Sequence, residues 1–175
     1  RQINRFLENI EDIYEKLPKK EELLIYDLCC GKSYLSFAVY HYFSVIKGRE
    51  VKMTGVDLKR DVIENCNAAA MRYGYTDLRF EVGDINGYTP SESPDIVVTL
   101  HACDTATDFA LYNAVSWGAK LIMSVPCCQH EVCSNMEASE IKILERYGLI
   151  KERAAALFTD AIRANMLITK GYSTK

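Results

Sequence analysis

The sequence predicts an α/β fold built on a doubly wound, mostly parallel sheet. Three observations carry this. Apolar runs of strand length alternate with segments of crossover-helix length. The helical segments are punctuated by glycines at Gly48, Gly74, Gly118 and Gly148, the residue type that most easily leaves a helix. The first three apolar runs each carry an aspartate at the end, Asp27, Asp57 and Asp84, so that one edge of the sheet collects acids.

Each element follows from its own pattern. Residues 1–17, RQINRFLENIEDIYEKL, are apolar at Ile3, Phe6, Leu7, Ile10, Ile13, Tyr14 and Leu17, the spacing of an amphipathic helix. Pro18-Lys19-Lys20 breaks it. LLIYDLC (23–29) is the first strand, and Ser33 to Ile46 the helix after it, with Gly48 as its stop. VKMTGVD (51–57) is the second strand, followed by a helix from Lys59 to Tyr73 that Gly74 closes. LRFEVGD (78–84) is the third. A loop rich in glycine, proline and serine leads to the fourth, DIVVTLHACD (95–104). A helix from Ala106 to Trp117 precedes the fifth, KLIMSVP (120–126), where Pro126 prevents further pairing. Helices are then expected from Asn135 to Tyr147, stopped by Gly148, and from about Ala155 to Lys170, closed by Gly171.

Size and composition bound the function. A chain of 175 residues suits one domain, 1–175, with a real core; the N-terminal helix is followed by a ligand-binding region over 21–147, and no repeat or internal boundary divides it. Hydrophobic residues make up 49% and charged residues 26%, an ordinary globular composition. No apolar run approaches the ~20 residues of a membrane span, and no signal peptide is visible. Starting at Arg1, the chain is expected to be a fragment of a longer protein. Seven cysteines, with adjacent pairs at Cys29-Cys30 and Cys127-Cys128, do not form a disulfide framework; reduced thiols and a cytoplasmic location are expected. The net charge of −3 argues against a generic basic surface for nucleic acid. Lys19-Lys20, Lys59-Arg60 and Arg72 are scattered and read as solvated charges, although a local patch could still meet RNA. Oligomeric state is not legible.

The stretch DLCCGKSYLSF (27–37) poses the ligand question. Gly31-Lys32-Ser33 looks like the end of a triphosphate-binding loop, but that pattern needs a second glycine at position 26, which is Tyr26. One glycine cannot turn a row of N–H groups inward. What remains is a strand, a tight turn through Gly31, and a helix. In open α/β sheets ligands sit at the carboxyl ends of strands. Asp57 lies where a carboxylate accepts from both hydroxyls of a ribose. Asp84 could accept from an adenine amino group, and Asp27 could pair with a cationic amino group. A ligand with those three parts and no phosphate is S-adenosylmethionine. NAD, the main rival, needs more glycines for its pyrophosphate. Each aspartate taken singly could instead cap the following helix.

With these residues in hand, the chain resembles a class I S-adenosylmethionine-dependent methyltransferase, which implies a Rossmann-like, doubly wound sheet. Asp27-Leu28-Cys29-Cys30-Gly31 resembles the first motif of that superfamily, with Cys29 where a glycine is usual; a cysteine takes positive φ only at a cost. A narrower resemblance rests on QINRFLE (2–8), GKSYLSFAVYHYF (31–43), LHACDTATDFAL (100–111) and VPCCQHEVC (125–133). These are similar to a bacterial family of methyltransferases, to the methyltransferase domain of the glutathione S-transferase C-terminal-domain-containing protein, and to a tRNA ribose 2′-O-methyltransferase family. The resemblance implies RNA as substrate, and a sheet whose last strands lie beyond Lys175. It places the cofactor against Asp27, Cys29, Gly31, Lys32, Ser33 and Tyr34, against Asp57 with Leu58, against Asp84 with Ile85, and against His101. A small-molecule acceptor, or a non-catalytic binding and assembly role, stays open.

The far strand ends carry the remaining chemistry. His101 and Asp104 follow the fourth strand; Cys127, Cys128 and His130 follow the fifth. Methyl transfer is an in-line displacement that needs an aligned, deprotonated acceptor. The catalytic candidates are therefore His101, Asp104, Cys127 and Cys128. His101 could be the base, line the adenosine pocket, or pack under the sheet. Asp104 could orient it or bind substrate, and Cys127 and Cys128 suit the substrate-side wall. Asp108 reads equally as a helix cap. Cys127, Cys128, His130 and Cys133, with Cys103, are enough soft ligands for zinc, but adjacent cysteines seldom share an ion comfortably, and no metal is assigned. A cysteine that itself carries the methyl group has no base at fixed spacing. Tyr34, Tyr40, Tyr42 and Phe43 fall on one helix, at a spacing that favours packing over base stacking.

Overall fold

The computed structural model describes residues 2–100, 102–137, 143 and 146–175. Five parallel strands form its sheet in the order β3-β2-β1-β4-β5: β1 is Glu22–Leu28, β2 Glu50–Asp57, β3 Leu78–Val82, β4 Ile96–Thr99 and β5 Leu121–Ser124. The central strand β1 is nearly all buried, as a parallel strand covered on both faces must be. Gly55 on β2 is required by close approach, since a Cβ there would lie 2.4 Å from Cδ1 of Phe80.

Helices cover both faces. On one side lie α1 (Gln2–Ile13), α2 (Tyr34–His41) and α3 (Arg60–Arg72), whose Phe6, Ile10, Val39, Ile63 and Cys66 pack with Leu23, Ile25 and Val98. A short π-helical stretch, Tyr42–Ile46, prolongs α2. Tyr40, Tyr42 and Phe43 are buried, as packing residues, whereas Tyr34 is exposed. On the other side α4 (Thr105–Ser116) sets Ala110 and Ala114 against Tyr26, Leu28 and Val97. Among the described residues α5 (His130–Asn135) and α6 (Gly148–Thr169) follow the sheet. No helix among the described residues is long and apolar enough to cross a membrane.

Three expectations change. The fourth strand stops at Thr99, not at Asp104, because its neighbour stops at Ser124 and leaves only the Val125 N–H to donate to Thr99 O, at 3.0 Å. The last helix, expected from about Ala155, begins at Gly148 and runs 22 residues as α6, with Gly148 in an N-terminal position where a side chain would touch nothing. A short helix occupies His130–Asn135, where none was expected; most of the helix expected over 135–147 lies outside the described residues, as does His101.

Candidate active site

A cavity of about 410 Å³ opens at the carboxyl ends of β1 and β4, where the strand order reverses and ligands of such sheets bind. Asp27, Cys29, Cys30, Lys32, Ser33, Tyr34 and Leu100 line it, together with Gln2 and Ile3 from the first turn of α1. Its floor is the turn after β1. Cys29, Gly31 and Ser33 all lie in the left-handed region, at φ 59°, 52° and 59°, so Cys29 does adopt the conformation a glycine would take freely. The Cys30 N–H donates to Val56 O at 3.1 Å, and the Ser33 N–H to Cys30 O at 2.8 Å. The Gly31 N–H donates to Oδ2 of Asp57 at 2.9 Å, while the Lys59 N–H donates to its Oδ1 at 3.0 Å. Asp57 thus ties the first turn to the second.

The three acids converge. Asp27 is 1% exposed, and Ser36 donates its hydroxyl to Oδ2 at 2.5 Å. Burial pushes the Asp27 carboxyl up to about 7, with the charge of Asp57 adding to the effect against the pull of Ser36. Cys29 feels all of them: burial first, then Asp57, Asp27 and Asp84, push its thiol up to about 11. Burial raises the Cys30 thiol as well. Asp84 accepts from the Asn86 N–H at 2.9 Å in a local turn. Leu58 is 67% exposed beside Asp57. Ile85 departs from the expected set: its side chain lies in the core against α4, and its carbonyl accepts from Nδ2 of Asn113 at 2.6 Å.

A second cluster forms on the same edge of the sheet. Cys103, Cys127 and Cys128 meet, with 2.9 Å between the Sγ atoms of Cys103 and Cys127. The hydrogen bond to Cys127, then burial, pushes the Cys103 thiol up to about 12, so it is no ready nucleophile. Asp104 lies between these residues at φ 54° and ψ −127°, a conformation rarely open to residues other than glycine. Its N–H donates to Cys128 O at 3.1 Å and its carboxylate accepts from the Glu131 N–H at 3.2 Å. Asp104 therefore caps α5 from another loop. His130 is exposed at the start of α5. Asp108 is not a cap: Nε and Nη2 of Arg163 hold its two oxygens at 2.7 and 2.9 Å, and Nη2 also donates to Asp104 O at 3.0 Å.

Sequence reasoning missed Gln2 and Ile3 at the cavity, Ser36 under Asp27, and Arg163. For Arg163 a signal existed. Ala155, Thr159 and Arg163 recur every four residues, and they are the buried residues of α6.

Residues 1–135 match the sequence profile of a family described as a methyltransferase domain. No curated protein matches the chain. Among solved structures it is similar to the CMeT domain of the citrinin polyketide synthase, with 19% identity and a TM-score of 0.55 over 70% of this chain and 34% of that one. It is also similar to magnesium protoporphyrin IX methyltransferase of Synechocystis PCC 6803 with bound SAH, with 15% identity and a TM-score of 0.53 over 70% and 53%. The chain spans about a third to a half of the length of these structures, and the likeness shows a shared fold.

Proposed function

The chain belongs to a methyltransferase-domain family, and from that premise we propose that it transfers the methyl group of S-adenosylmethionine to RNA. The observation that carries the cofactor is that Asp27 and Cys29 line the cavity, with the charges of Asp57 and Asp84 reaching Cys29 from the next two strands. The residues fit the group. A carboxylate offers about four acceptor directions. Asp57 uses two of them on the Gly31 and Lys59 amides, which leaves two for the vicinal hydroxyls of a ribose. Asp27, half-ionised near pH 7, can pair with an amino group. Asp84 is the acceptor for the adenine amino group, with Leu58 along the ring. Bound S-adenosylmethionine supplies an electrophilic methyl on a cationic sulfur.

On the acceptor side, Asp104 is a positioning residue. It fastens the segment that carries Cys127 and Cys128 to the end of β4. Those cysteines wall the acceptor side. The base for the acceptor proton is His101, next to the cavity residue Leu100. RNA as acceptor is supported by the LHACDTATDFAL and VPCCQHEVC motifs, and a cytoplasmic site of action by seven unpaired cysteines. A small-molecule acceptor is the second reading, favoured by the net charge of −3.

Calorimetry tests the cofactor: S-adenosylmethionine binds and NAD does not. Methyl-labelled cofactor, incubated with cellular RNA and separately with a small-molecule extract, tests the acceptor. Label in RNA, matched by a modified nucleoside lost from cells lacking the gene, supports the proposal. Label only in the extract moves the assignment to the second reading.

A further inference from the structure

We infer that Cys103, Cys127 and Cys128 form a site for one thiophilic metal ion, zinc in the first instance, with a fourth position that no described residue fills. The three Sγ atoms lie within 4.8 Å of one another. A zinc–thiolate bond of about 2.3 Å and a tetrahedral angle separate two sulfurs on one ion by roughly 3.8 Å. Cys127 and Cys128 already stand 3.9 Å apart. Their adjacency counted against a metal on sequence grounds, since neighbours on a strand point to opposite faces. After β5, however, Pro126 has ended the strand, the chain is irregular, and the two thiols come to the same side. Cys103 arrives from the loop before α4, 2.9 Å from Cys127, and an opening of about 1 Å between these two would bring that pair to the spacing of one ion.

Packing does not account for the cluster. Free cysteine is among the most buried residue types, yet Cys103 and Cys127 are exposed. The three donors are all sulfur, which selects zinc, cadmium or copper(I) over magnesium and calcium. The loops are fastened independently of any ion, by Asp104 to Cys128 O and to the Glu131 amide, and by Arg163 to Asp104 O. The site is therefore pre-assembled. Binding is a proton exchange with no change of oxidation state: three thiols and Zn²⁺ give a zinc tris-thiolate and three protons. None of this depends on the methyl-transfer reading, and its test measures metal, not methyl.

The test is titration of the chemically reduced protein with Co²⁺, followed by Zn²⁺. One equivalent of Co²⁺ gives a thiolate-to-cobalt charge-transfer band, and Zn²⁺ abolishes it. Cys103→Ser, Cys127→Ser and Cys128→Ser each weaken binding by more than the roughly 10–100-fold that loss of an outer-shell partner costs. Cys133→Ser, on α5 outside the cluster, leaves the band and its affinity unchanged. Circular dichroism confirms that each variant is folded. Absence of the band in reduced wild-type protein overturns the inference, as does undiminished binding by the triple serine variant. So does a reduced protein that takes no ion while its oxidised form holds a Cys103–Cys127 disulfide; the cluster would then be a redox pair.

Discussion

The turn after β1 and the loops after β4 and β5 reach the same edge of one sheet, but they are held by different means. The first is held from the adjoining strand. Residues 29–33 close on themselves and on β2, and one carboxylate, Asp57, holds the amides of Gly31, 26 positions away, and of Lys59. The second draws on the C-terminal helix as well. Asp104 receives the Glu131 amide, and Arg163, 55 positions from Asp108, grips the start of α4 and the Asp104 carbonyl. Damage to the first should stay within the cofactor site. Damage to the second should spread through α6 and the cysteine loops.

Asp57→Ala gives the largest effect. It removes a charged acceptor from two backbone amides and from the proposed ribose hydroxyls, and hydrogen bonds to charged groups contribute about 1.5–3 kcal/mol each. Affinity for S-adenosylmethionine should fall about 100-fold to 1,000-fold, or roughly 3–4 kcal/mol. Calorimetry reads this directly, and an unchanged affinity would remove the carboxylate from the site.

Asp27 tests the same region through protons. Its folded carboxyl is raised to about 7 by burial, so the folded chain holds the proton more tightly than the unfolded chain does. Stability is then greatest below the ordinary carboxylate range, falls as pH rises from about 4 to 7, and levels off above that. The loss is on the order of 4 kcal/mol, and Asp27→Asn should flatten it in urea titrations across that window. If Asp27 pairs with a cationic amino group, binding at pH 7 should also release about half a proton. Calorimetry in buffers of different ionisation enthalpy measures that release. No release means that the carboxyl stays neutral and does not meet the cation.

Arg163→Met probes the long-range region. The side chain of Arg163 is 8% exposed, but that of Asp108 is 53% exposed and would regain water. The cost therefore falls below that of breaking a fully buried pair, at about 2 kcal/mol in the urea midpoint. Hydrogen exchange should quicken across residues 127–135 and stay unchanged across 29–33. Equal quickening in both would erase the distinction between the two regions.

What the sequence made legible follows the same division. The five strands depend on short apolar runs, whose meaning is local, and all five form, but β3 stops at Val82, two residues before Asp84, and β4 at Thr99. The start of α6 was missed because a glycine followed by apolar residues reads as the stop of the preceding helix, while here Gly148 opens the next one. The fourth strand was drawn too long because apolarity continues into Leu100 and Ala102 after the pairing partner has stopped. Gln2 and Ile3 reach the cavity only through the docking of α1, and the cysteine cluster only through the contacts of Asp104 and Arg163. No window of a dozen residues contains those facts.

The smallest effect is also the sharpest contrast, because each region holds a residue with positive φ that is not glycine. At Cys29, φ is 59°, and no backbone group depends on its thiol among the hydrogen bonds of the turn. A left-handed residue costs about 1–2 kcal/mol, and glycine's extra freedom in the unfolded chain takes back roughly 0.5–1 kcal/mol. Cys29→Gly should therefore stabilise the protein by about 0.5–1 kcal/mol, raising Tm by roughly 1–4 °C for a chain of this size. Asp104 has φ 54°, but its carboxylate accepts the Glu131 N–H. In Asp104→Gly a backbone relief of about 1–3 kcal/mol at φ 54° and ψ −127° is offset by the loss of that charge-assisted bond, at about 1.5–3 kcal/mol, and by glycine's extra freedom in the unfolded chain, so Tm should fall. A rise in both variants would mean that backbone strain outweighs the bond from Asp104 to α5, and a fall in both that the Cys29 thiol contributes more by packing than its φ costs.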